Sequence, residues 1–462
     1  MMGHAVVDDY TTKKFALPVT TLAAFLFAYG ISSVNIALPS IGKEFLIDAI
    51  LLSWVTTAYL LGTAVFLVPI GKLADIKGRK RVFTYGVLMF TITSIGCSVS
   101  NSAVMLICFR VLQGIAAGAI YPVGVAILTS IFPSEDLGRV LGINVTAVYI
   151  GYSLGPFLGG LLTHHIGWRS IFFMNVLLGS IIIAFIIWKL KGERFEEEAK
   201  KFDLAGSIIY SVTLLFIMYG FSHLSTMYGI WLILSGALGL LVFIKWERRI
   251  ESPLLDISLF KENRGFAFSN LATLLNYGAT YAVTFLLSLY LQYIKKLTPE
   301  NAGLILISQP IVQAFFSPFA GKLSDRIEPR IVASTGMALT AAGLFLLAVL
   351  DEKTTLGFTV ASLALLGFGF ALFSSPNTNA VMHSVEKRFY GVASGTVSTM
   401  RIIGMFFSMG ITVLMFSIYI GKVQITQEYY PAFLRCLKLG FTFFAILCFG
   451  GIFASLVRDK VR

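Results

Sequence analysis

The chain has 462 residues, of which 56% are hydrophobic and only 13% charged, and it carries a formal net charge of +12. That balance excludes a water-soluble globular domain, in which about a quarter of residues are charged. It also argues against nucleic acid as a partner, because the basic residues are spread over many short loops instead of forming one patch.

A membrane-crossing helix needs about 20 mostly apolar residues, and windows of that kind follow one another along the chain. The first seven cover 15–38, 51–70, 82–99, 103–132, 140–162, 171–188 and 204–221. The rest cover 227–244, 266–291, 302–320, 331–350, 356–375, 392–418 and 439–457, which gives about fourteen spans. Short alternating strands broken by turns are absent, so helices must satisfy the backbone polar groups within lipid. The predicted fold class is an all-α polytopic membrane protein. The first window is too long for a signal-peptide core and is expected to persist as the first span. Loops on one side hold clusters such as Lys72, Lys77, Arg79, Lys80 and Arg81, whereas the other side holds only a handful, among them Lys43, Lys295 and Lys353. Positive charge marks the cytoplasmic side, so both termini are expected there, with the protein in the cell membrane. Cys97, Cys108, Cys436 and Cys448 have no metal or redox spacing and are expected to be packed thiols.

The loop after the second span reads Gly71-Lys72-Leu73-Ala74-Asp75, and Gly321-Lys322-Leu323-Ser324-Asp325 follows the tenth. Gly321 lies 250 residues after Gly71, and Arg388 lies 249 after Arg139, where Gly142 and Gly155 match Gly391 and Gly404. A repeat offset by eight spans predicts two six-helix bundles, 1–190 and 265–462, separated by 191–264, which holds cytoplasmic linkers and two inserted helices.

Several residues in these spans carry chemistry. In the loop Gly71 to Arg81, Gly71 permits close helix approach, Asp75 offers an acceptor at the membrane face, and Arg79 belongs to a cluster that anchors at anionic headgroups. Asp75 is expected to reach the N-terminus of the thirteenth span near Arg388, and Asp325 the fifth near Arg139, as a gate that closes the cytoplasmic side. Arg110 falls inside an apolar span, where a cation is unfavourable by about 2.5–3.5 kcal/mol on insertion scales. It must face protein or water, and Arg401 poses the same question. Gly142, Gly151, Gly155, Gly159 and Gly160 give the fifth span a face of small residues, and Pro156 removes one of its hydrogen bonds, a pattern for a hinge.

These stretches resemble the major facilitator superfamily. The loop 71–81 is similar to its signature, Arg110-Val111-Leu112-Gln113-Gly114 to its second, and the glycines of the fifth span to its antiporter signature. With Val34-Asn35-Ile36-Ala37-Leu38-Pro39 and Trp168-Arg169-Ser170, the resemblance is to the fourteen-helix drug:proton antiporters and extends over nearly the whole chain. It implies secondary-active efflux of small lipophilic compounds or drugs, with proton influx as the candidate driving force and Arg110 and Arg401 as coupling candidates. It also implies a cavity lined by the first and fourth helix of each bundle. On those helices Tyr29, Ser33, Asn35, Gln113, Tyr121, Asn276, Tyr277, Tyr281, Phe373 and Asn377 are the candidates. Gly30 departs from the pattern, since it stands where multidrug exporters carry an aspartate, and no acidic residue or histidine falls mid-membrane. A facilitator or importer of a neutral or anionic metabolite is therefore the alternative, and a non-transporting membrane sensor or scaffold the reading from another class. The expected partners are a small-molecule substrate, protons and the lipid bilayer, with a monomer favoured. No cofactor, metal or enzymatic motif is indicated, since Walker-type loops, zinc-helix His pairs and GxSxG elbows are absent.

Overall fold

The computed structural model describes residues 2–189, 202–224, 226–250, 253–255, 260–261, 263–386 and 390–457, with the side chains of 2–14, 134–135, 189, 222 and 325 outside that description. It is a helical bundle, and no strand occurs among the described residues. The first half comprises α1 (Met2–Ser32), α2 (Val34–Phe45), α3 (Ala49–Lys77), α4 (Arg79–Ser98), α5 (Ala103–Ile131), α6 (Ser134–His165) and α7 (Arg169–Lys189). Two helices follow, α8 (Leu204–Ser222) and α9 (Met227–Glu247). The second half comprises α10 (Arg264–Leu289), a π turn at Tyr290–Ile294, α11 (Pro299–Leu306), α12 (Ser308–Arg326), α13 (Pro329–Leu347), α14 (Leu356–His383), α15 (Tyr390–Tyr419) and α16 (Tyr430–Leu456).

Thirteen of the described helical segments are long and apolar enough to cross a membrane. α4, which the sequence predicts as a further crossing, is not among them; Arg79, Lys80 and Arg81 in its first turn dilute its apolar average. Short polar residues start many of these helices by accepting from backbone N–H groups that helix geometry leaves unpaired. Asp48 accepts from Leu51 N at 2.7 Å, and Asn263 from Phe266 N at 2.8 Å. Lipid-facing surfaces keep large apolar side chains exposed, as at Ile187, Trp231, Phe319 and Phe453. Cys97, Cys436 and Cys448 are buried thiols, whereas Cys108 is exposed, contrary to the packed environment expected for all four.

The first window runs through α1 and α2 with a lapse of one residue at Ser33, which keeps helical dihedrals (φ −66°, ψ −29°) and whose carbonyl lies under α6. The tenth likewise runs through α11 and α12, with Ile307 helical at the junction. α8 and α9 pack on each other, and α8 also spans the junction between the halves. Tyr210 donates to Ala64 O of α3 at 3.0 Å, while Phe221 meets Phe407 of α15 with ring centroids 5.5 Å apart.

We call the side bearing the α3–α4 and α5–α6 loops the basic face and the opposite side the distal face. The halves meet tightly at the distal face. Ser288 Oγ donates to Asn35 O at 2.7 Å, Gln292 Nε2 to Ile36 O at 2.9 Å, and Ala49 N to Val423 O at 3.0 Å. A Cβ on Gly160 would fall 2.4 Å from Pro299 O, and one on Gly303 2.5 Å from Pro156 O, so α6 and α11 touch backbone to backbone. At the basic face the corresponding glycines Gly71, Gly138, Gly142 and Gly395 have nothing within 4 Å of an added Cβ.

Candidate functional site

Arg110 on α5 is fully buried. Its Nε donates to Val55 O at 3.0 Å, and its Nη1 donates to Gly30 O at 3.2 Å and to Gln113 Oε1 at 2.5 Å. Gln113 Nε2 passes the chain on to Ser94 Oγ at 2.7 Å. The guanidinium also sits 4.3 Å from the centroid of the Tyr59 ring, whose face favours a cation. No described carboxylate pairs with it, and Nη2 has no protein partner, so one strong donor remains to be satisfied.

Arg401 on α15 is the second interior cation, 9% exposed. Its Nη2 donates to Thr378 Oγ1 at 3.1 Å, its Nε has no protein partner, and Tyr277 lies 5.6 Å away. Tyr121, Tyr149, Tyr152 and Tyr277 lie within electrostatic reach of it. Tyr152 in turn interacts with Tyr59, Tyr121, Tyr277 and Tyr281, and its hydroxyl points at Met405 Sδ, 3.8 Å away on α15. Tyr149 and Ser374 share a hydrogen bond from α6 to α14. The middle of the seam is thus a cluster of phenols between two guanidiniums, with no acidic residue mid-span anywhere in the sequence.

The structure sorts the cavity candidates by face. Tyr121, stacked on Phe27, and Tyr277, edge-on to Phe370, belong to this cluster, as does Tyr281. The other seven are engaged elsewhere or buried. Gln113 is consumed in positioning Arg110, and Tyr29 and Ser33 are buried where α6 crosses α1. Asn276 Nδ2 turns toward Cys448 of α16, Phe373 is buried on α14 with its backbone against Gly336 of α13, and Asn377 binds Ser269 O and Thr273 of α10. Asn35 belongs to the distal seal, accepting from Thr56 through its side chain and from Ser288 through its carbonyl. Gly30 does not open on the cavity either: a Cβ there meets the Phe90 ring at 2.9 Å and Tyr59 Oη at 3.8 Å. Tyr149 and Tyr152 were not singled out from the sequence. Their spacing of three on α6 was the available signal, since it puts both on one side of a helix whose glycines occupy another.

Of the gate residues, Gly71, Asp75, Arg79 and Arg139 are described. Asp75 is held by Arg79 Nε at 2.8 Å within its own half, while Arg79 Nη1 reaches Ala126 O at 3.2 Å. Lys72 Nζ donates to Pro253 O at 3.2 Å in the segment after α9. Arg139 is exposed near the start of α6, Arg388 lies outside the described residues, and so does the side chain of Asp325. Among the signature glycines, Gly151 meets Phe25 O, Gly155 meets Ser32 and Gly159 meets Ser33 O, all on the first span. Gly160 and Pro156 meet α11, and Gly142 meets nothing in this state.

At the distal face Glu44 receives Arg169 Nη2 at 2.7 Å and Trp168 Nε1 at 2.7 Å, tying α2 to α7. The Arg169 hydrogen bond is the main reason the Glu44 carboxyl sits below its usual range. A depressed carboxyl contributes stability above its unfolded value, and that contribution is lost as pH falls through the folded one. Glu44→Gln should therefore melt roughly 1–3 °C below the parent at pH 7, the effect of a half-exposed pair. In acid the two melting curves should converge, and a constant gap at every pH would show that the charge contributes nothing.

Long apolar helices in two halves, with buried cations and phenols on the seam, form the architecture of a polytopic membrane transporter. Residues 20–246 and 270–462 match the model of the Major Facilitator Superfamily. The chain is 32% identical over 403 residues to the multidrug resistance protein Stp of Mycobacterium tuberculosis, covering 85% of this chain and 74% of that one. It is 32% identical over 414 residues to the multidrug transporter protein MdtP of Bacillus subtilis, covering 87% and 75%. It is also 30% identical over 389 residues to the riboflavin transporter RibZ of Clostridioides difficile, covering 84% and 85%. A solved structure of a bacterial homologue of the human lysosomal transporter Spinster, titled as inward-facing and unoccupied, overlays 96% of each chain with a TM-score of 0.65 at 16% identity, a likeness of fold. The chain belongs to the Major Facilitator Superfamily.

Proposed function

We propose that this transporter is a secondary-active exporter of small aromatic, amphiphilic compounds, neutral or anionic, across the cell membrane. The observation that carries the reading is the phenol cluster between Arg110 and Arg401. Tyrosines offer flat apolar faces with hydroxyls at their rims, the two arginines keep unpaired N–H donors, and no mid-span carboxylate balances them. Such a site favours acceptors and negative charge and disfavours a permanent cation. Two relatives are named for multidrug resistance or multidrug transport, which supports export. The riboflavin transporter among them supports the alternative, import or facilitated movement of a neutral or anionic metabolite.

In this reading the basic face is cytoplasmic and carries both termini. Residues 1–190 and 265–462 rock as two bodies while 191–264 supplies linkers and the two inserted helices. The distal seal then makes this the cytoplasm-open state, and closure brings Asp75 and Asp325 to the facing helix ends near Arg388 and Arg139. Guanidiniums stay protonated at physiological pH. Proton coupling through this site therefore runs through the solute's own acid group or through the way the arginines bind it. Monomers suffice for such a cycle.

The test is a solute screen in proteoliposomes with a trapped pH dye and radiolabelled flux. Aromatic acids and neutral heterocycles are expected to move, with ethidium at the empty-liposome rate. Robust ethidium transport would overturn the site reading. Gly30→Asp is expected to pair with Arg110 instead of presenting a charge to solutes, so ethidium transport should stay absent in that variant at equal expression. Its appearance would show that position 30 reaches the cavity.

A further inference from the structure

We propose that His164, His165 and Glu300 form a binding site for a transition-metal dication of the zinc class, and that the bound ion clamps the two halves together at the distal face. The two histidines end α6, in the first half, and Glu300 stands in the first turn of α11, in the second. One potential ligand atom from each of the three lies within 4.8 Å of the others. His165 Nε2 is 3.3 Å and His164 Nε2 4.0 Å from Glu300 Oε2.

The geometry suits a metal as well as an ion pair. With metal–nitrogen and metal–oxygen bonds of about 2.0–2.2 Å, neighbouring ligand atoms of a tetrahedron stand about 3.3 Å apart. The His165–Glu300 pair already has that separation, and His164 needs only a small side-chain rotation, which its exposed position allows. Two imidazoles and one carboxylate are a borderline-soft set suited to zinc and unsuited to magnesium or calcium, which prefer oxygen alone. Coordination positions beyond the three remain for water.

The scaffold beneath the cluster is rigid. His164 lies one turn beyond Gly160 on α6, and Gly160 rests on the carbonyl of Pro299, the residue before Glu300. The backbone contact that seals the distal face therefore also sets the distance between the ligands. When the halves part at that face, Glu300 leaves the histidines and the set becomes incomplete. An ion held by all three binds one state and not the other, so by linkage it raises the population of the distally closed state. Its predicted consequence is inhibition of turnover by metal at the distal face, and that consequence alone rests on the transport reading above.

The experiment uses the full chain purified in nanodiscs. Zinc is titrated against a competing fluorescent indicator, and spin-label pairs across α6 and α11 report the distal-face separation by pulsed electron resonance. The parent is expected to bind one zinc ion per chain in the micromolar range and to shift to the short distance. His164→Ala, His165→Ala and Glu300→Gln should each weaken binding roughly tenfold or more and abolish the shift. Magnesium should do neither. Binding unaffected by Glu300→Gln would overturn the clamp, because the ion would then be held by one half alone. Equal binding to the parent and to a variant lacking all three ligands would overturn the site. Neither measurement needs a transported solute, so failure of the exporter reading leaves this result intact.

Discussion

Arg110→Ala is expected to lower transport by about 100-fold or more, and Arg401→Ala to act differently. The Arg110 guanidinium binds α1 through Gly30 O, α3 through Val55 O and its own helix through Gln113. Removing it leaves two carbonyls and the Gln113 amide oxygen buried without that donor, at about 1–3 kcal/mol each. A loss of about 3 kcal/mol of organised geometry corresponds to roughly 100-fold in rate. Arg110→Lys keeps the charge but replaces a planar fork by a point donor, so it cannot serve three directions at once and should recover only a small part. Arg401 donates to Thr378 at 3.1 Å, engages Tyr121 and faces the phenol cluster. Its alanine variant should fold normally and raise the solute KM about tenfold while leaving kcat within a fewfold. Flux measured against solute concentration, at matched amounts of folded protein, separates the two patterns. Equal effects on KM from both variants would mean that Arg110 acts on the solute as much as Arg401 does, and that its ties to α1 and α3 are secondary.

Much of the architecture was legible because it follows from one constraint: in lipid every backbone polar group must be satisfied inside a helix. Apolar length alone therefore located the crossings, and the repeated Gly71 and Gly321 loops are the basis for expecting an eight-span offset. The crossing at Ser33 was not legible. There Gly155 and Gly159 of α6 bring a second backbone against Ser32 and Ser33, a contact between segments more than a hundred residues apart. The site was read less completely, and for a related reason. Residue type and helix number suggested Gln113, Asn276 and Asn377, yet each is turned into its own half by a specific partner. Rotation of a helix about its axis is set by packing, and nearly featureless apolar spans carry little periodicity from which to read it. Tyr149 and Tyr152 were hidden by the same ambiguity, since α6 reads first as a glycine face.

Gly160→Ala is expected to prevent closure of the distal face and to reduce transport at least tenfold, although it adds a single methyl group. The added Cβ would stand 2.4 Å from Pro299 O and 3.3 Å from Glu300 Cα. The first obstacle is backbone, which cannot rotate away as a side-chain tip can, so α6 and α11 must separate. The contact joins the two halves, so the protein can avoid the clash by populating the distally open state without unfolding. Gly155→Leu should be more severe, because its Cβ would fall 1.9 Å from Ser32 Oγ and 3.0 Å from Ser33 N inside one half, where no alternative state relieves it. That variant is expected to abolish transport, by forcing α6 off the first span. Gly142→Ala is the internal control: it belongs to the same glycine series but has nothing within 4 Å, and it should transport near the parent rate. Distal-face distances from spin labels, read beside flux for all three variants, test the ordering. Gly160→Ala with parental distances and parental flux would show that backbone contact between α6 and α11 is dispensable. A Gly142→Ala protein as inactive as Gly155→Leu would instead place the demand for glycine in helix flexibility, or in contacts made only when the basic face closes.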